Sequence, residues 1–384
     1  MKTFCAILLC TATLTGLAGE ILFDRVPDNG IQPQVITDNS GAVHLLYYSG
    51  AAKGGDLYYV GPKDSGRRTE DGGHGPGKAL RVNTVENSAI AAGTIRGGQI
   101  ALGRNGRVHV AWNGARPQPD ARHEGAPMYY ARLNDAGTAF ETQRDLIHTT
   151  GQLDGGGSVA ADANRNVYVL WHGHRPGDPK GEIGRAVFLA ISRDDGATFA
   201  PEIRANPEPT GACGCCGLDA QADRAGNLYV LYRTAETMVN RDAVLLMSGD
   251  KGQTFQKLLA DPWNTGACPM SSAAFAPIAS GVAIAWETKG QVRFTSVSSG
   301  AASEPIQPSG QGKRRHPAVA ANKNGEILLV WAEGTGWERG GAVGWQLFDK
   351  NRKPAGEPGR RDGVPVWSFA AAYAKANGDF VILY

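Results

Sequence analysis

Val167-Tyr168-Val169-Leu170-Trp171 is a run of five apolar residues that ends in an aromatic ring, and it is one copy of seven. The others are Val43-His44-Leu45-Leu46-Tyr47, Val108-His109-Val110-Ala111-Trp112, Leu228-Tyr229-Val230-Leu231-Tyr232, Val282-Ala283-Ile284-Ala285-Trp286, Ile327-Leu328-Leu329-Val330-Trp331 and Phe380-Val381-Ile382-Leu383-Tyr384. The closing aromatics recur at a mean spacing of about 56 residues, a period that signals an array of equivalent supersecondary units.

Each copy is the second strand of a hairpin. Segments such as Ser158-Val159-Ala160-Ala161-Asp162 and Pro317-Ala318-Val319-Ala320-Ala321 supply the first strand. Asn105-Gly106, Asn324-Gly325 and Asn377-Gly378 supply tight turns that need positive φ. The second strands are apolar on both faces, as befits strands sandwiched between neighbouring sheets. A further hairpin follows in six of the seven repeats, beginning for example at Ala186-Val187-Phe188-Leu189-Ala190. Four strands per repeat and no sustained helical period predict an all-β β-propeller of four-stranded blades, seven favoured over six. The stray strand Ile21-Leu22-Phe23-Asp24-Arg25-Val26 is expected to join the C-terminal hairpin and close the ring.

Composition agrees. The 384 residues include 52 glycines, roughly twice the usual share of about 7%, without a collagen period. The formal charge of +2 gives no reason to expect a nucleic acid, and Lys313-Arg314-Arg315-His316 is too short a basic run to supply one. Lys2, the apolar run Phe4 to Leu17 and the small residues Gly16 and Ala18 read as a signal peptide over residues 1–18. That leaves a single propeller domain over residues 19–384, exported to the periplasm or medium, with no membrane span and expected to act as a monomer. Cys5 and Cys10 would depart with the signal, leaving Cys213, Cys215, Cys216 and Cys268.

Ser192-Arg193-Asp194-Asp195-Gly196-Ala197-Thr198-Phe199 and Ser248-Gly249-Asp250-Lys251-Gly252-Gln253-Thr254-Phe255 both fit Ser-x-Asp-x-Gly-x-Thr-Phe. Leu133-Asn134-Asp135-Ala136-Gly137-Thr138-Ala139-Phe140 keeps the Asp, Gly and Phe. This pattern resembles the Asp-box, or BNR repeat, of the sialidase-like propeller superfamily. Ser192, Asp194, Gly196, Thr198 and Phe199, like Ser248, Asp250, Gly252, Thr254 and Phe255, read as turn-forming residues. The Asp accepts backbone N–H groups, the Gly takes a left-handed conformation and the Phe plugs the core. The resemblance implies a glycan-acting propeller of exo-sialidase type, with three arginines on a substrate carboxylate, a Tyr–Glu nucleophile pair and an Asp acid/base. The sequence departs from that family at its first arginine, where Gly30-Ile31-Gln32-Pro33-Gln34 keeps the proline alone.

Propeller sites gather at the channel end where inter-blade loops and second-to-third-strand loops meet. The first group of loops holds Arg96, Asp154, the cysteine segment, Arg314, Arg315, His316, Arg361 and Asp362. The second group holds Asn113, Arg116, His172, His174, Arg175, Arg233, Glu287 and Glu333. Arg96, Asp154, Arg233, Glu287, Arg315 and Glu333 are the catalytic candidates of a glycan site. His172-Gly173-His174 reads as a solvated turn. Thr-Gly-Ala-Cys occurs at 210–213 and at 265–268, in one slot of successive blades, so the four thiols should share one spot. Two readings stand: disulfides, with Cys268 bonded to one of the three and Cys213 bonded to Cys216 or Cys215, or a soft-metal site for zinc or copper. No other cofactor is expected. The alternative to a glycan ligand is a non-catalytic scaffold that binds another protein.

Overall fold

The computed structural model describes residues 19–62, 78–115, 125–151, 153–237 and 239–384, and these form a ring of seven sheets around a central channel. The expected leader over residues 1–18 and the candidate Arg116 lie outside the described residues. Blades I to VI are four-stranded antiparallel sheets in sequence order. Blade III, for example, runs Ser158–Ala161, Val167–Gly173, Ala186–Ser192 and Ile203–Arg204 from the channel outward. Three short 3-10 turns are the helical elements among the described residues.

The seven apolar pentads are the second strands, and their closing aromatics Tyr47, Trp112, Trp171, Tyr232, Trp286, Trp331 and Tyr384 are all buried. Their two apolar faces have a direct cause. Seven apolar clusters each combine side chains of two consecutive blades, and the last, with Val26, Leu45, Tyr47, Val60 and Leu383, joins blade VII to blade I. A second strand therefore contributes to the core on each side of its blade. Full burial of one large apolar side chain there stabilises by about 1.5–3 kcal/mol.

Blade VII differs from the four-stranded expectation. It has three strands: Ala371–Ala374, then Phe380–Leu383, then Ile21–Asp24 parallel to it, with Ile21 opposite Phe380. Direction explains the parallel pairing. The N-terminal strand must finish at the channel-mouth end, because blade I starts there at Ile31 after only a short connection. Phe23 packs edge-on against Trp345 at 4.8 Å, and the Arg25 guanidinium lies 4.1 Å from the centre of the Tyr384 ring.

The far face is built from side chain-to-backbone turns. In Ser192–Phe199 the Thr198 N–H donates to Asp194 Oδ1 at 2.9 Å, the Gly196 N–H donates to Ser192 Oγ at 2.8 Å, and Phe199 meets Tyr130 edge-on. Ser248–Phe255 repeats this, with Thr254 N–H to Asp250 Oδ1 at 2.9 Å and Gly252 N–H to Ser248 Oγ at 2.8 Å. The 133–140 turn uses a different residue from the one its sequence suggests. Asn134, not Asp135, accepts the Thr138 N–H at 2.9 Å, while Asp135 pairs with Arg107.

Candidate functional site

Six residues directly follow the closing aromatics, and all are buried: Tyr48, Asn113, His172, Arg233, Glu287 and Ala332. Strand alternation turns them away from the aromatic's side and toward the loop that enters the next blade. Asn113 Nδ2 donates to Gly155 O at 2.6 Å. Arg233, only 3% exposed, donates from Nε to Ser271 Oγ at 2.7 Å and from its two terminal nitrogens to the carbonyls of Arg241 and Glu287. It is a latch between blades IV and V, with its donors occupied by the protein. His172 and His174 are also buried, at the end of a strand rather than in the expected solvated turn, and burial drives the His172 imidazole down to about 3.

Glu287 is the most perturbed of the catalytic candidates. Burial pushes its carboxyl up to about 7, against the opposing pull of Arg315 and Arg233. Its Oε1 lies 3.6 Å from Arg315 Nε, and Oε2 has no hydrogen-bond partner among the described residues. Arg315 is anchored in turn by Nη2 to Pro269 O at 2.5 Å. No tyrosine is among the partners of Glu287.

The other candidates separate into two places. Arg96 pairs with Asp154 at 2.8 Å and also binds the Asp154 and Ala92 carbonyls. Glu333 stands apart on blade VI, where it accepts the Trp331 indole N–H at 2.7 Å and faces Arg360 at 3.3 Å. Arg314 is buried against Trp331 and bonds the Pro308 and Ser309 carbonyls.

The four cysteines meet beside this network. Cys215 is bonded to Cys268 of the next blade loop, as one of the expected pairings has it. The second bridge is not formed. Cys213 and Cys216 are free and buried, with sulfurs 3.2 Å apart, and Cys213 Sγ lies 3.3 Å from Cys215 Sγ. Four backbone N–H groups hold their loop, three on backbone carbonyls and one on a side chain: Cys213 N–H to Arg233 O, Cys216 N–H to Cys213 O, Gly217 N–H to Ser271 O and Gly214 N–H to Glu182 Oε1. Gly155 lies against it, and a Cβ there would come within 2.3 Å of the Gly214 carbonyl oxygen. Burial alone would raise the Cys216 thiol; the Cys213 S–H, Arg233 and the Ser271 hydroxyl outweigh it and lower it.

Sequence reasoning missed the pocket at the channel mouth. Thr94, Met270, Arg315, His316, Trp337, Arg339, Trp367 and Ser368 are among its lining residues. Trp337 is 65% exposed and stands edge-on to Trp367, with ring centres 4.6 Å apart. His316 is buried between Ser272 Oγ at 3.2 Å and Thr94 Oγ1 at 3.4 Å, and burial lowers it to about 3, so it stays neutral. Five non-glycine residues that lead into inner strands, Gln32, Thr94, Met270, His316 and Trp367, hold positive φ. Backbone strain of about 1–3 kcal/mol at each such position characteristically clusters at functional sites. Neither tryptophan nor Arg339 belongs to a repeating motif, so no sequence signal singles them out.

The architecture defines a class: the seven-bladed β-propeller. No protein-family model matches the chain, and no curated protein matches it by sequence. Among solved structures it is similar to the NanB sialidase from Streptococcus pneumoniae, with a TM-score of 0.53, 10% identity, and coverage of 88% of this chain and 80% of that one. It is also similar to a Hadza microbial sialidase, with a TM-score of 0.48, 13% identity, and coverage of 84% and 69%. The Trypanosoma rangeli sialidase gives a TM-score of 0.48, 11% identity, and coverage of 82% and 54%. At such identities the likeness is one of fold. No helix among the described residues is long and apolar enough to cross a membrane.

Proposed function

We propose that this chain is an exported propeller that binds acidic glycans at its channel mouth. The observation that carries the reading is the exposed Trp337, braced by Trp367 and flanked in the same pocket by Arg315 and Arg339. A sugar ring stacks on an aromatic face, and guanidinium groups grip a carboxylate through paired N–H donors. Arg339 has no ion pair among the described residues, so its charge is available to a ligand. The likeness in fold to sialidases supports a glycan ligand. Export rests on the leader-like segment of residues 1–18.

The reading is one of binding and not hydrolysis. Glu287 could donate a proton near neutral pH, but it is enclosed and lacks a tyrosine partner, and Arg233 is committed to backbone carbonyls. The test is calorimetric titration of the purified chain with carboxylated and neutral oligosaccharides. Carboxylated sugars should bind, and Trp337→Ala should weaken them tenfold or more, about 1.4 kcal/mol, without changing the melt. Absence of binding to every acidic saccharide, or equal binding by Trp337→Ala, refutes the proposal.

A further inference from the structure

We propose that the reduced chain holds one soft metal ion, zinc(II) or copper(I), on Cys213, Cys215 and Cys216, with Cys268 completing the set. A structural staple needs Cys215 and Cys268 alone. It gives no reason for Cys213 and Cys216 to aim at the same point, yet the ligand sulfurs of the three loop cysteines all lie within 4.8 Å of one another. Around a tetrahedral ion with bonds near 2.3 Å, thiolate sulfurs stand about 3.8 Å apart. The observed 3.2 and 3.3 Å separations need only a small outward adjustment to admit the ion.

The surroundings suit a charged thiolate set. Four bonds from backbone N–H groups fix the Cys213–Cys216 loop, so three ligands come from a rigid turn. Arg233 places positive charge next to Cys216, while beside Cys213 the Arg241 guanidinium is paired with the Glu182 carboxylate. The Ser271 hydroxyl lies 3.4 Å from Cys216 Sγ and is itself held by Arg233, an outer-shell contact of the kind that orients metal ligands. The disulfide and the metal are alternative uses of the same sulfurs. A thiol or phosphine reductant delivers two electrons to the Cys215–Cys268 bond, each sulfur takes up a proton, and metal binding then releases the thiol protons.

The experiment reduces the purified chain under argon, removes the reductant and adds cobalt(II). Thiolate-to-cobalt charge-transfer absorption should saturate at one equivalent per chain. Zinc(II) should bleach that absorption, and copper(I), competed against a colorimetric chelator, should show whether it binds more tightly still. The oxidised chain should bind at least about tenfold more weakly, as should the Cys213→Ser and Cys216→Ser variants of the reduced chain. Near-ultraviolet circular dichroism follows the fold throughout, and a fold lost on reduction should return with the metal. The proposal is overturned if the reduced chain shows no thiolate absorption, if both serine variants bind as the parent does, or if metal fails to restore a fold that reduction has lost.

Discussion

Replacing Glu287 by glutamine should flatten the acid side of the stability profile. The Glu287 carboxyl titrates at about 7 in the folded chain against an ordinary value of 4.5. Between these values the native state keeps a proton that the unfolded state has released. Stability from this group is therefore full below the unfolded value and is lost as pH rises through the folded one. One pH unit in that window is worth about 1.4 kcal/mol, so moving from pH 5 to pH 8 removes roughly 2–3 kcal/mol. Glutamine keeps the shape but cannot ionise. Urea unfolding of the disulfide-intact protein, read by tryptophan fluorescence and circular dichroism at several pH values, gives the difference between parent and E287Q. Asp219, which burial also pushes up to about 7, titrates in both proteins and cancels. The difference should move in favour of E287Q by roughly 2–3 kcal/mol from pH 5 to pH 8. Parallel profiles over that range would show that Glu287 is ionised in the fold at ordinary acidity, and the argument from its enclosure would fail.

The remaining predictions address the frame. Cys215→Ser and Cys268→Ser in the oxidised chain each open a link between residues 53 apart and should cost up to about 4 kcal/mol, seen as matching drops in Tm; an unchanged melt in either variant refutes the link. Asp194→Ala removes the acceptor for the Thr198 N–H and hydroxyl and should cost about 1–2 kcal/mol at neutral pH. Burial works to raise the Asp194 carboxyl, but the Thr198 and Ser192 bonds prevail and hold it at about 2. Its contribution is thus present above the ordinary aspartate range and fades as pH falls toward 2, so parent and variant should converge in acid. A chain beginning at Pro27 lacks the strand paired with Phe380–Leu383 and should aggregate through that bared edge, and a monodisperse truncation with the parent's melt would contradict the closure.

The ring was legible because repetition turns register into position. Seven aromatics in one phase identify the second strands, and the repeated Thr-Gly-Ala-Cys places Cys268 beside the cysteine loop. The N-terminal strand was legible as the closing strand of blade VII, but its parallel direction was not, because that depends on a connection that no residue pattern encodes. The far-face hairpins were only half read. Asn-Gly pairs marked some of them. Asp38, Asp162, Asp223 and Asn322 form the same turn by accepting backbone N–H groups two and four residues on, a device that depends on an Asp or Asn placed before the glycine position.

The same register separates latch from site. Asn113, Arg233 and Glu287 share one slot, directly after the closing aromatic, and each reaches forward to the segment that enters the next blade: Asn113 to Gly155, Arg233 to Ser271, Glu287 to the Arg315 guanidinium. A polar residue that recurs in one slot with one kind of partner is explained by the packing of blade on blade. That accounts for the burial of these candidates without any ligand. Trp337 and Arg339 have no counterpart in the other blades, whereas the strained backbone of Trp367 is shared with the residues that lead into four other inner strands. An exposed tryptophan contributes little to the fold, and Trp337 stands beside an arginine with no ion pair among the described residues, the juxtaposition on which the proposed ligand rests. In a propeller, departure from the repeat locates function better than charge alone does, and this departure converges on one rim of the channel.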